Sequence, residues 1–370
     1  MATTRLLRPS NNCLRTLKHS HRRTYSSNSA TPSTPPTSPF APRHLLSIAD
    51  LTPKELTTLV RNAGSHKSAL KSGSSLPPNL HNSLLGRTIA MLFSKRSTRT
   101  RVSTEGAVAM LSGHPMFLGS QDIQLGVNES LYDTSVVISS MVSAIVARVN
   151  KHEEVAEMAK SSSVPVINAL SDLWHPLQTI ADYLTLHEAF PSDKSSGGSL
   201  GLEGLRIAWV GDANNVLFDL ALGAAKLGCH LSVATPSGYS IPDNIRSVIT
   251  TAAANPSTPI DFLTETNIPE EAVKDADVIV TDTWVSMGQE SEQKKRLKDF
   301  SGFQVTHELA KRGGAKEGWK FMHCLPRHRE EVSDEVFYSP ASLVFAEAEN
   351  RLWSAVSVLE GFVVNKGRIV

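Results

Sequence analysis

The stretch Thr88-Ile89-Ala90-Met91-Leu92-Phe93-Ser94-Lys95-Arg96-Ser97-Thr98-Arg99-Thr100-Arg101 passes from an apolar run to a basic one. Its first part, Thr88–Phe93, predicts a buried strand of a parallel sheet. The apolar spacing of residues 102–111 predicts a helix packed on that sheet. The turn between them is a favourable place for a doubly charged anion, because a helix N-terminus presents unpaired N–H groups and a positive dipole end.

Hydroxyl and guanidinium groups in this turn suit an anion. Ser97, Thr98 and Thr100 supply hydroxyls, and Arg99 supplies a planar fork that matches phosphate oxygens. Alternatively, Ser97 or Thr98 only caps the helix and the cations form a solvated face. Four cations lie between residues 95 and 101 with no acid among them, which favours phosphate.

Charge is distributed unevenly along the 370 residues, whose formal net charge is +1. Residues 1–25 hold six cations and no acid, so removing them leaves −5 (+1 less six). A body of that charge is not a polyanion binder, and we expect no nucleic-acid partner. No apolar stretch is long enough to span a bilayer, so we expect no membrane partner.

Residues 1–25 are rich in Arg, Ser and Thr, which is typical of a mitochondrial transit peptide. Arg22-Arg23-Thr24-Tyr25-Ser26-Ser27 resembles a matrix-protease site, so we expect cleavage near Tyr25 and a location in the mitochondrial matrix. A disordered basic tail is the alternative interpretation. Residues 26–43, rich in Pro, Ser and Thr, are expected to form a flexible linker.

Three cysteines, Cys13, Cys229 and Cys324, occur without paired spacing. This pattern argues against a disulfide framework or a zinc site and for a reducing compartment. We therefore expect no bound metal.

Apolar runs and helical segments alternate beyond residue 44 and predict an α/β protein with two doubly wound parallel-sheet domains. The Gly/Ser-rich segment 191–201 indicates an exposed loop near the boundary between them. The first domain is expected at residues 44–186 and the second at residues 187–344. The apolar helix within residues 345–370 is expected to pack back on the first domain.

Ligands of open α/β sheets bind outside the carboxyl ends of the strands, where several chemically active side chains are predicted. Arg148 lies near the C-terminal end of the apolar run 144–149, where a charge is costly unless it is paired. It is therefore either the partner of a carboxylate or an anion ligand. The other candidates follow further strands or open a helix, and they are His175, Gln178, Asn215, Asp282, Ser286, Met287, Cys324 and Leu325.

Two of these residues allow a purely structural interpretation. His175 lies at a helix start, where the dipole disfavours a protonated ring, so it would be a neutral donor unless it is simply an interior histidine. Cys324 is either a small core residue or a thiol near a catalytic centre. The turn Gly211-Asp212-Ala213-Asn214-Asn215 lacks the second and third glycines of a dinucleotide fingerprint, so a nicotinamide cofactor is not favoured.

Four motifs occur in uninterrupted order from about residue 42 onward, and with Arg148 they resemble the aspartate/ornithine carbamoyltransferase family. The Ser-Thr-Arg-Thr and His-Pro-x-Gln motifs imply carbamoyl phosphate. The Ser-Met-Gly motif and the His-Cys-Leu-Pro motif imply ornithine. In this chain the motifs are Ser97-Thr98-Arg99-Thr100, His175-Pro176-Leu177-Gln178, Asp282-Thr283-Trp284-Val285-Ser286-Met287-Gly288 and His323-Cys324-Leu325-Pro326.

This resemblance implies carbamoyl transfer from carbamoyl phosphate to the δ-amine of L-ornithine, without a cofactor, with residues 44–186 binding the first substrate and 187–344 the second. The implied ligands of carbamoyl phosphate are Ser97, Thr98, Arg99, Thr100, Arg148, His175, Gln178, Cys324, Leu325 and Arg351. The implied ligands of ornithine are Asn215, Asp282, Ser286 and Met287. The implied catalytic residues are Cys324, His175 and Arg99.

Assembly and motion also follow from the resemblance. Family members are homotrimers, which implies a homotrimer in which His114 or the loop 121–128 serves a neighbouring subunit. We expect the two domains to close on the substrates through the Ser286-Met287-Gly288 loop. Ala213 replaces a glycine of the family pattern, which would shift Asn215 slightly.

Three other functions remain open at this point. Carbamoyl transfer to another amine, such as putrescine, is disfavoured by Asp282, because a carboxylate there suits an α-amino group. A non-catalytic member of the fold is disfavoured by the intact Arg99, His175 and Cys324. An NAD-dependent dehydrogenase is the remaining alternative at the level of the fold.

Overall fold

A four-stranded parallel sheet organises the first half of the chain in the computed structural model, which describes residues 42–120, 129–192, 198–254, 258–285 and 290–370. Its strands are β1 (Thr88–Phe93), β2 (His114–Gly119), β3 (Ala144–Arg148) and β4 (Val166–Leu170). They lie in the order β2-β1-β3-β4. The predicted strand Thr88–Phe93 is confirmed, and it is buried along nearly its whole length because helices cover both faces of the sheet.

The first three helices of the first half begin at recognisable capping residues, Thr52, Ser97 and Ser130. Thr52 caps the first of them in a capping box with Glu55, and Pro53 occupies its first position. The helix predicted over 102–111 begins earlier, at Thr98, because the Ser97 hydroxyl accepts the N–H of Thr100. The helices are α1 (Pro53–Lys71), α2 (Thr98–Met110), α3 (Leu131–Met141), α4 (His152–Ser161) and α5 (Pro176–Ala189).

A five-stranded parallel sheet organises the second half, with strands β5 (Arg206–Val210), β6 (His230–Ala234), β7 (Leu263–Thr266), β8 (Val278–Val280) and β9 (Lys320–Met322). Their order is β7-β6-β5-β8-β9. The helices here are α6 (Asn215–Leu227), α7 (Asp243–Ala252), α8 (Pro269–Ala272), α9 (Gln293–Asp299), α10 (His307–Gly313) and α11 (Asp334–Phe337). Two parallel, helix-covered sheets confirm the predicted fold class.

The last helix returns to the first half, as predicted. Helix α12 (Val344–Leu359) continues into a π-helical segment, Glu360–Val364, and packs on α1, α2 and α5. Its side chains facing these helices are apolar, apart from a few buried polar residues that the site uses. Within the described part of the chain, no helix is both long and apolar enough to cross a membrane.

One hydrophobic core is shared by the two sheets. On β1, Ile89, Met91 and Phe93 face this core, while Ala90 and Leu92 face a smaller outer cluster. The second sheet alternates in the same way between the shared core and its own outer cluster. Both sheets therefore turn one face toward the same set of helices.

The strand orders place two switch points where a crevice is expected. In the first sheet, β1 and β3 are neighbours whose chain connections leave in opposite directions, and Phe93 lies beside Arg148. In the second sheet, β5 and β8 are the corresponding pair. Ligands of open α/β sheets bind at such points, beyond the carboxyl ends of the strands.

Candidate active site

A cavity of about 880 Å³ lies beyond both switch points. From the first half it is lined by the turn after β1, by Arg148 and by His175. From the second half it is lined by the turns after β5 and β8 and by the segment after β9. The sequence-predicted residues that line it are Ser97, Thr98, Arg99, Thr100, Arg148, His175, Asn215, Asp282, Cys324, Leu325 and Arg351.

The basic turn after β1 points most of its cations at this cavity. Lys95, Arg96 and Arg99 line the cavity, whereas Arg101 turns outward to pair with Glu105 (2.9 Å). Arg101 also lies over the ring of Phe117. The four predicted cations therefore separate into three at the site and one on the surface.

Arg99, Arg148 and Arg351 bring three positive charges to the cavity wall. Among the described residues, none of them forms an ion pair with an acid, and Arg148 Nε is buried without a hydrogen-bond partner. Burial, then repulsion by Arg351 and Arg99, lowers the pKa of Arg148 to about 10. Burial lowers the pKa of Arg351 to about 10 as well. Of the two interpretations of Arg148, the structure favours the anion ligand.

His175 is held in a neutral state at the start of α5. Burial, together with the positive charges of Arg351, Arg148 and Arg99, lowers its pKa well below the usual value. Its backbone N–H donates to Asp219 Oδ2 (2.7 Å), which anchors the residue, while its ring Nδ1 has no partner among the described residues. A neutral imidazole in this position can donate to or accept from a bound carbonyl group.

Asp282 and Cys324 contact each other at the end of the second sheet. The Cys324 thiol donates to Asp282 Oδ1 (3.2 Å), and Asn214 Nδ2 donates to Asp282 Oδ2 (2.8 Å). Burial, then the negative charges of Asp282 and Glu347, raises the pKa of the Cys324 thiol well above its usual value. The sulfur is therefore a thiol that fixes a carboxylate, and not a thiolate nucleophile.

Asn215 lies at the first position of α6 and lines the cavity. Its amide Nδ2 donates to the carbonyl of Ser171 at 2.5 Å, which connects the two halves of the site. The neighbouring Asn214 caps α6 and also holds Asp282, so the turn keeps its hydrogen bonds with Ala213 in place of glycine.

The segment after β9 presents a strained backbone to the cavity. Leu325 has φ +62°, a left-handed conformation that costs of order 1 kcal/mol or more for a branched residue. Arg99 donates to its carbonyl (2.5 Å), and His323 Nδ1 accepts its N–H (2.9 Å). The first bond holds the segment against the basic turn of the other half, and the second fixes the backbone within the segment.

One potential metal-binding cluster occurs among the described residues, formed by Asp282, His323 and Cys324 with ligand atoms within 4.8 Å. All three are already engaged in hydrogen bonds. The Cys324 thiol donates to Asp282, and His323 uses Nδ1 for Leu325 and has Glu331 beside Nε2 (3.3 Å). The arrangement is that of a protein-internal network.

Gln178 lies one layer behind the cavity wall, although the sequence predicted it as a ligand. It is 1% exposed, and its Oε1 accepts from Arg351 at 2.6 Å. Two other predicted ligands, Ser286 and Met287, lie outside the described residues, as does the loop 121–128. His114 is exposed at the start of β2.

The sequence analysis does not identify Asn214, Asp182, Asp219 and Glu347, acidic or amide residues whose hydrogen bonds hold predicted site residues in place. A signal for two of them exists in the spacing. Asp182 follows Gln178 by one helical turn on α5, and Glu347 precedes Arg351 by one turn on α12. An acid one turn from a predicted ligand, inside an otherwise apolar helix, must have a buried partner.

The cavity combines groups of opposite charge that suit two different ligand ends. Cationic side chains and a helix N-terminus favour a phosphate group. The buried carboxylate of Asp282 favours an ammonium group. A neutral imidazole lines the same space and suits a polar group between them.

Comparisons with known proteins agree with this geometry. A family profile described as aspartate/ornithine carbamoyltransferase, carbamoyl-P binding domain, matches residues 43–188. A second, described as aspartate/ornithine carbamoyltransferase, Asp/Orn binding domain, matches residues 203–361.

Individual relatives match over nearly their whole length. A mitochondrial ornithine carbamoyltransferase of Emericella nidulans is 72% identical over 335 residues, which is 90% of this chain and 93% of the relative. A crystal structure of the mitochondrial enzyme of that name from Coccidioides immitis is 67% identical, with a TM-score of 0.83 over 89% of this chain and 100% of that one. The ornithine carbamoyltransferase structure from Pyrococcus furiosus is 43% identical, with a TM-score of 0.79 over 88% and 98%.

Proposed function

The chain belongs to the aspartate/ornithine carbamoyltransferase family, and from this premise we propose that it transfers the carbamoyl group of carbamoyl phosphate to the δ-amine of L-ornithine, giving L-citrulline and phosphate. The observation that carries this proposal is the division of charge in the cavity. Arg99, Arg148 and Arg351 line it without acid partners among the described residues, and the buried Asp282 lines it with a carboxylate.

The phosphate end is formed by the first half, residues 44–186. The hydroxyls of Ser97, Thr98 and Thr100, the N-terminus of α2 and Arg99 bind the phosphate oxygens. Arginines at this position neutralise the charge that develops on phosphate as its bond to the carbamoyl carbon breaks. The same charges are present before the reaction, so no reorganisation is needed at the transition state.

The carbamoyl group lies between Arg148, His175 and the segment Cys324–Leu325, with Arg351 also at the cavity wall and Gln178 behind it. The neutral δ-amine attacks the carbonyl carbon, and the carbonyl oxygen gains negative charge. Fixed donors aimed at that oxygen stabilise it, which is often the largest single contribution to catalysis. Arg99, His175 and Cys324 are the residues we assign to the reacting groups.

The amino-acid end is formed by residues 187–344. Asp282 binds the α-ammonium group, and Asn215 binds the carboxylate together with Ser286 and Met287. Holding both substrates between two halves of one chain replaces a bimolecular encounter by an oriented one, which can contribute several kcal/mol, roughly 7–11 in the best cases. Closure over the substrates through residues 286–288 is part of this proposal.

The direct test is citrulline formation from carbamoyl phosphate by the purified protein, with ornithine and putrescine supplied in parallel. We expect turnover with ornithine only. Asp282→Asn should raise the KM for ornithine by tenfold or more while changing the KM for carbamoyl phosphate only a few-fold, because a carboxylate–ammonium pair is lost at one end. Turnover with putrescine, or with neither amine, would contradict the proposal.

The assembly we propose is a homotrimer, supported by an exposed apolar surface on α3. Tyr132, Val136, Val137 and Met141 are each more than 40% exposed there, and contiguous exposed apolar patches mark interaction sites. Light scattering should give three times the subunit mass. Val137→Glu should lower it, whereas Ile268→Glu, an exposed apolar site in the second half, should not; a monomeric wild type would exclude the trimer.

The location we propose is the mitochondrial matrix. Curated relatives from several fungi are named mitochondrial, and residues 1–25 have the composition of a transit peptide. N-terminal sequencing of the organellar protein should begin between about Ser26 and Ala41. An intact Met1 in the organelle would contradict a cleaved presequence.

A further inference from the structure

A buried hydrogen-bond network lies directly behind the cavity wall and joins α5, α12 and the end of β9. At its centre is the Gln178 amide. Its Nε2 donates to Asp182 Oδ1 (2.7 Å) and to Glu347 Oε1 (3.0 Å), and its Oε1 accepts from Arg351 (2.6 Å). All four side chains are at most 3% exposed, so water does not compete for these bonds.

The partners leave the amide only one orientation. Carboxylate oxygens accept and a guanidinium only donates, so a flipped amide would set oxygen against oxygen on one side and N–H against N–H on the other. Either mismatch leaves buried polar groups without a hydrogen-bond partner, which is strongly unfavourable. Asp182 and Glu347 therefore determine that an oxygen faces Arg351.

Both carboxyl groups accept from the same Gln178 nitrogen, so they lie side by side. Burial raises the pKa of Glu347 well above its usual value, and the neighbouring Asp182 raises it further. The second oxygen of Glu347 accepts the backbone N–H of His323 (2.9 Å). Glu347 thus ties α5, through Gln178, to the segment between β9 and Cys324.

The Gln178 amide also keeps Arg351 apart from these acids. Arg351 lies one turn after Glu347 on α12. Its Nη1 nevertheless donates to the neutral Gln178, and its Nη2 donates to Thr100 Oγ1 (3.3 Å). A direct salt bridge to either acid would hold the guanidinium and cancel its charge. With a neutral amide between them, the charge of Arg351 remains available at the cavity wall, which Arg351 lines.

We propose that Asp182 and Glu347 are positioning residues, which together orient the Gln178 amide and through it direct an unneutralised Arg351 at the phosphate group of the substrate. This inference rests on the proposed function, since it assumes that the cavity binds an anion. Neither acid lines the cavity among the described residues, so each acts through the groups that it holds: Asp182 through Gln178, and Glu347 through Gln178 and the backbone of His323.

Asp182→Asn and Asp182→Ala separate positioning from simple packing. Asparagine keeps the bond to the amide, because its Oδ1 accepts from Gln178, and its Nδ2 can donate to Glu347. Alanine removes the bond to Gln178 and leaves only Glu347 and Arg351 to hold the amide. We expect the dissociation constant for inorganic phosphate, measured by calorimetry on the full protein, to rise tenfold or more in Asp182→Ala and to stay within about twofold in Asp182→Asn.

Thr179→Val is the matched control. Thr179 is buried on the same helix, and its hydroxyl has no hydrogen-bond partner among the described residues. This variant should leave phosphate affinity unchanged. Glu347→Gln is the second variant, in case Asp182→Ala does not fold. The two Glu347 oxygens accept from different donors, Gln178 and His323, and the single oxygen of glutamine can replace only one of them. We therefore expect phosphate affinity to fall severalfold.

The outcomes distinguish this inference from the function on which it rests. A wild-type protein that binds no phosphate would overturn both. A wild type that binds phosphate and makes citrulline, with unchanged phosphate affinity in Asp182→Ala or, if that variant does not fold, in Glu347→Gln, would overturn the inference alone. Equal losses in Asp182→Asn and Asp182→Ala would likewise overturn it, because the hydrogen bonds that asparagine retains would then be irrelevant.

Discussion

Arg148 is a buried cation whose position at the cavity wall is costly for stability. The residue is 6% exposed, and its guanidinium faces two other arginines without an acid partner among the described residues. Removing a charge from water without pairing it is unfavourable by several kcal/mol, so Arg148 destabilises the fold unless an anion binds to it. A bound anion would remove that cost, which couples anion binding to stability.

We expect Arg148→Met to raise the stability of the anion-free protein and to abolish its stabilisation by phosphate. Replacing buried ionic groups by apolar ones of similar volume typically contributes about 1–4 kcal/mol. In the wild type, phosphate at 100 times its dissociation constant should stabilise by about 2.7 kcal/mol. Thermal unfolding with and without inorganic phosphate measures both effects.

Arg246→Met provides the control for this experiment. Arg246 pairs with Glu265 (2.7 Å) on the surface of the second half, where ion pairs contribute about 0–1 kcal/mol. Its phosphate-dependent stabilisation should equal that of the wild type. If Arg148→Met retains the full phosphate effect, Arg148 is not an anion ligand.

At the scale of elements, a short segment before α1 extends the first sheet at its β4 edge. Leu45 pairs with Ile167, donating to the Val166 carbonyl (3.0 Å) and accepting from Asn168 (2.8 Å). The ring of His44 completes the edge, because its Nδ1 accepts the N–H of Val166 (3.0 Å). An accepting ring nitrogen must be unprotonated, so this edge depends on a neutral histidine.

This dependence predicts a pH effect on stability. Burial lowers the pKa of His44 to about 4, whereas in the unfolded chain it is about 6.5. Between these values the unfolded chain binds a proton that the folded chain does not, so stability falls as pH decreases from about 6.5 to about 4, by at most roughly 3 kcal/mol. His44→Asn, whose Oδ1 can accept the same N–H, should remove this part of the slope in urea unfolding at pH 4.5 and 7.5. An unchanged slope would show that His44 does not contribute.

How far the sequence predicts these elements depends on how local the deciding interaction is. Thr88–Phe93 was predictable because its five apolar residues, Ile89–Phe93, need only a covered sheet. The sequence predicts the start of α2 too late, at residue 102 instead of Thr98. Ser97 suits both a helix cap and an anion ligand, and the sequence does not show which role it has. The sequence does not indicate strand β7, because β7 lies at the edge of its sheet and three of its four residues are Thr or Glu.

The candidate site, too, is predicted from the sequence only where the deciding interactions are local. The cations and His175 follow strands or open helices and could be found by the strand-end rule. Asp182 lies in the middle of α5 and Glu347 in the first turn of α12. Gln178 joins them, one helical turn from Asp182 but 169 residues from Glu347 in the sequence. The spacing indicates that each acid has a buried partner, but only the folded contact between α5 and α12 shows that the two acids share Gln178. The outward turn of Arg101 toward Glu105 depends on helix phase, which the misplaced start of α2 obscured.

At the scale of the whole molecule, the two halves share one hydrophobic core. That core includes Met91 of the first sheet, Trp209 of the second, and Val356 of α12 between them. Helices α5 and α6 contact across the boundary, where the Tyr183 hydroxyl donates to the Leu220 carbonyl at 2.8 Å. Two sheets joined by a buried apolar contact cannot lose one half without exposing the other.

We therefore expect both halves to unfold together. Hydrogen exchange in a urea series should give the same midpoint for peptides covering β1 and β8. Gly223→Ala should lower both midpoints equally, because an added methyl group on α6 would overlap the Tyr183 ring, a type of overpacking that costs about 1–3 kcal/mol. Gly64→Ala on α1 is the control. Its added methyl group would contact only the flexible tip of Leu184 (3.2 Å), and the higher helix propensity of alanine should offset that contact, so both midpoints should stay close to those of the wild type. Two separated midpoints in the wild type, or a Gly223→Ala shift confined to β8, would mean that the shared core does not couple the halves. In that case, one half could move as an independent body when the protein closes over its substrates.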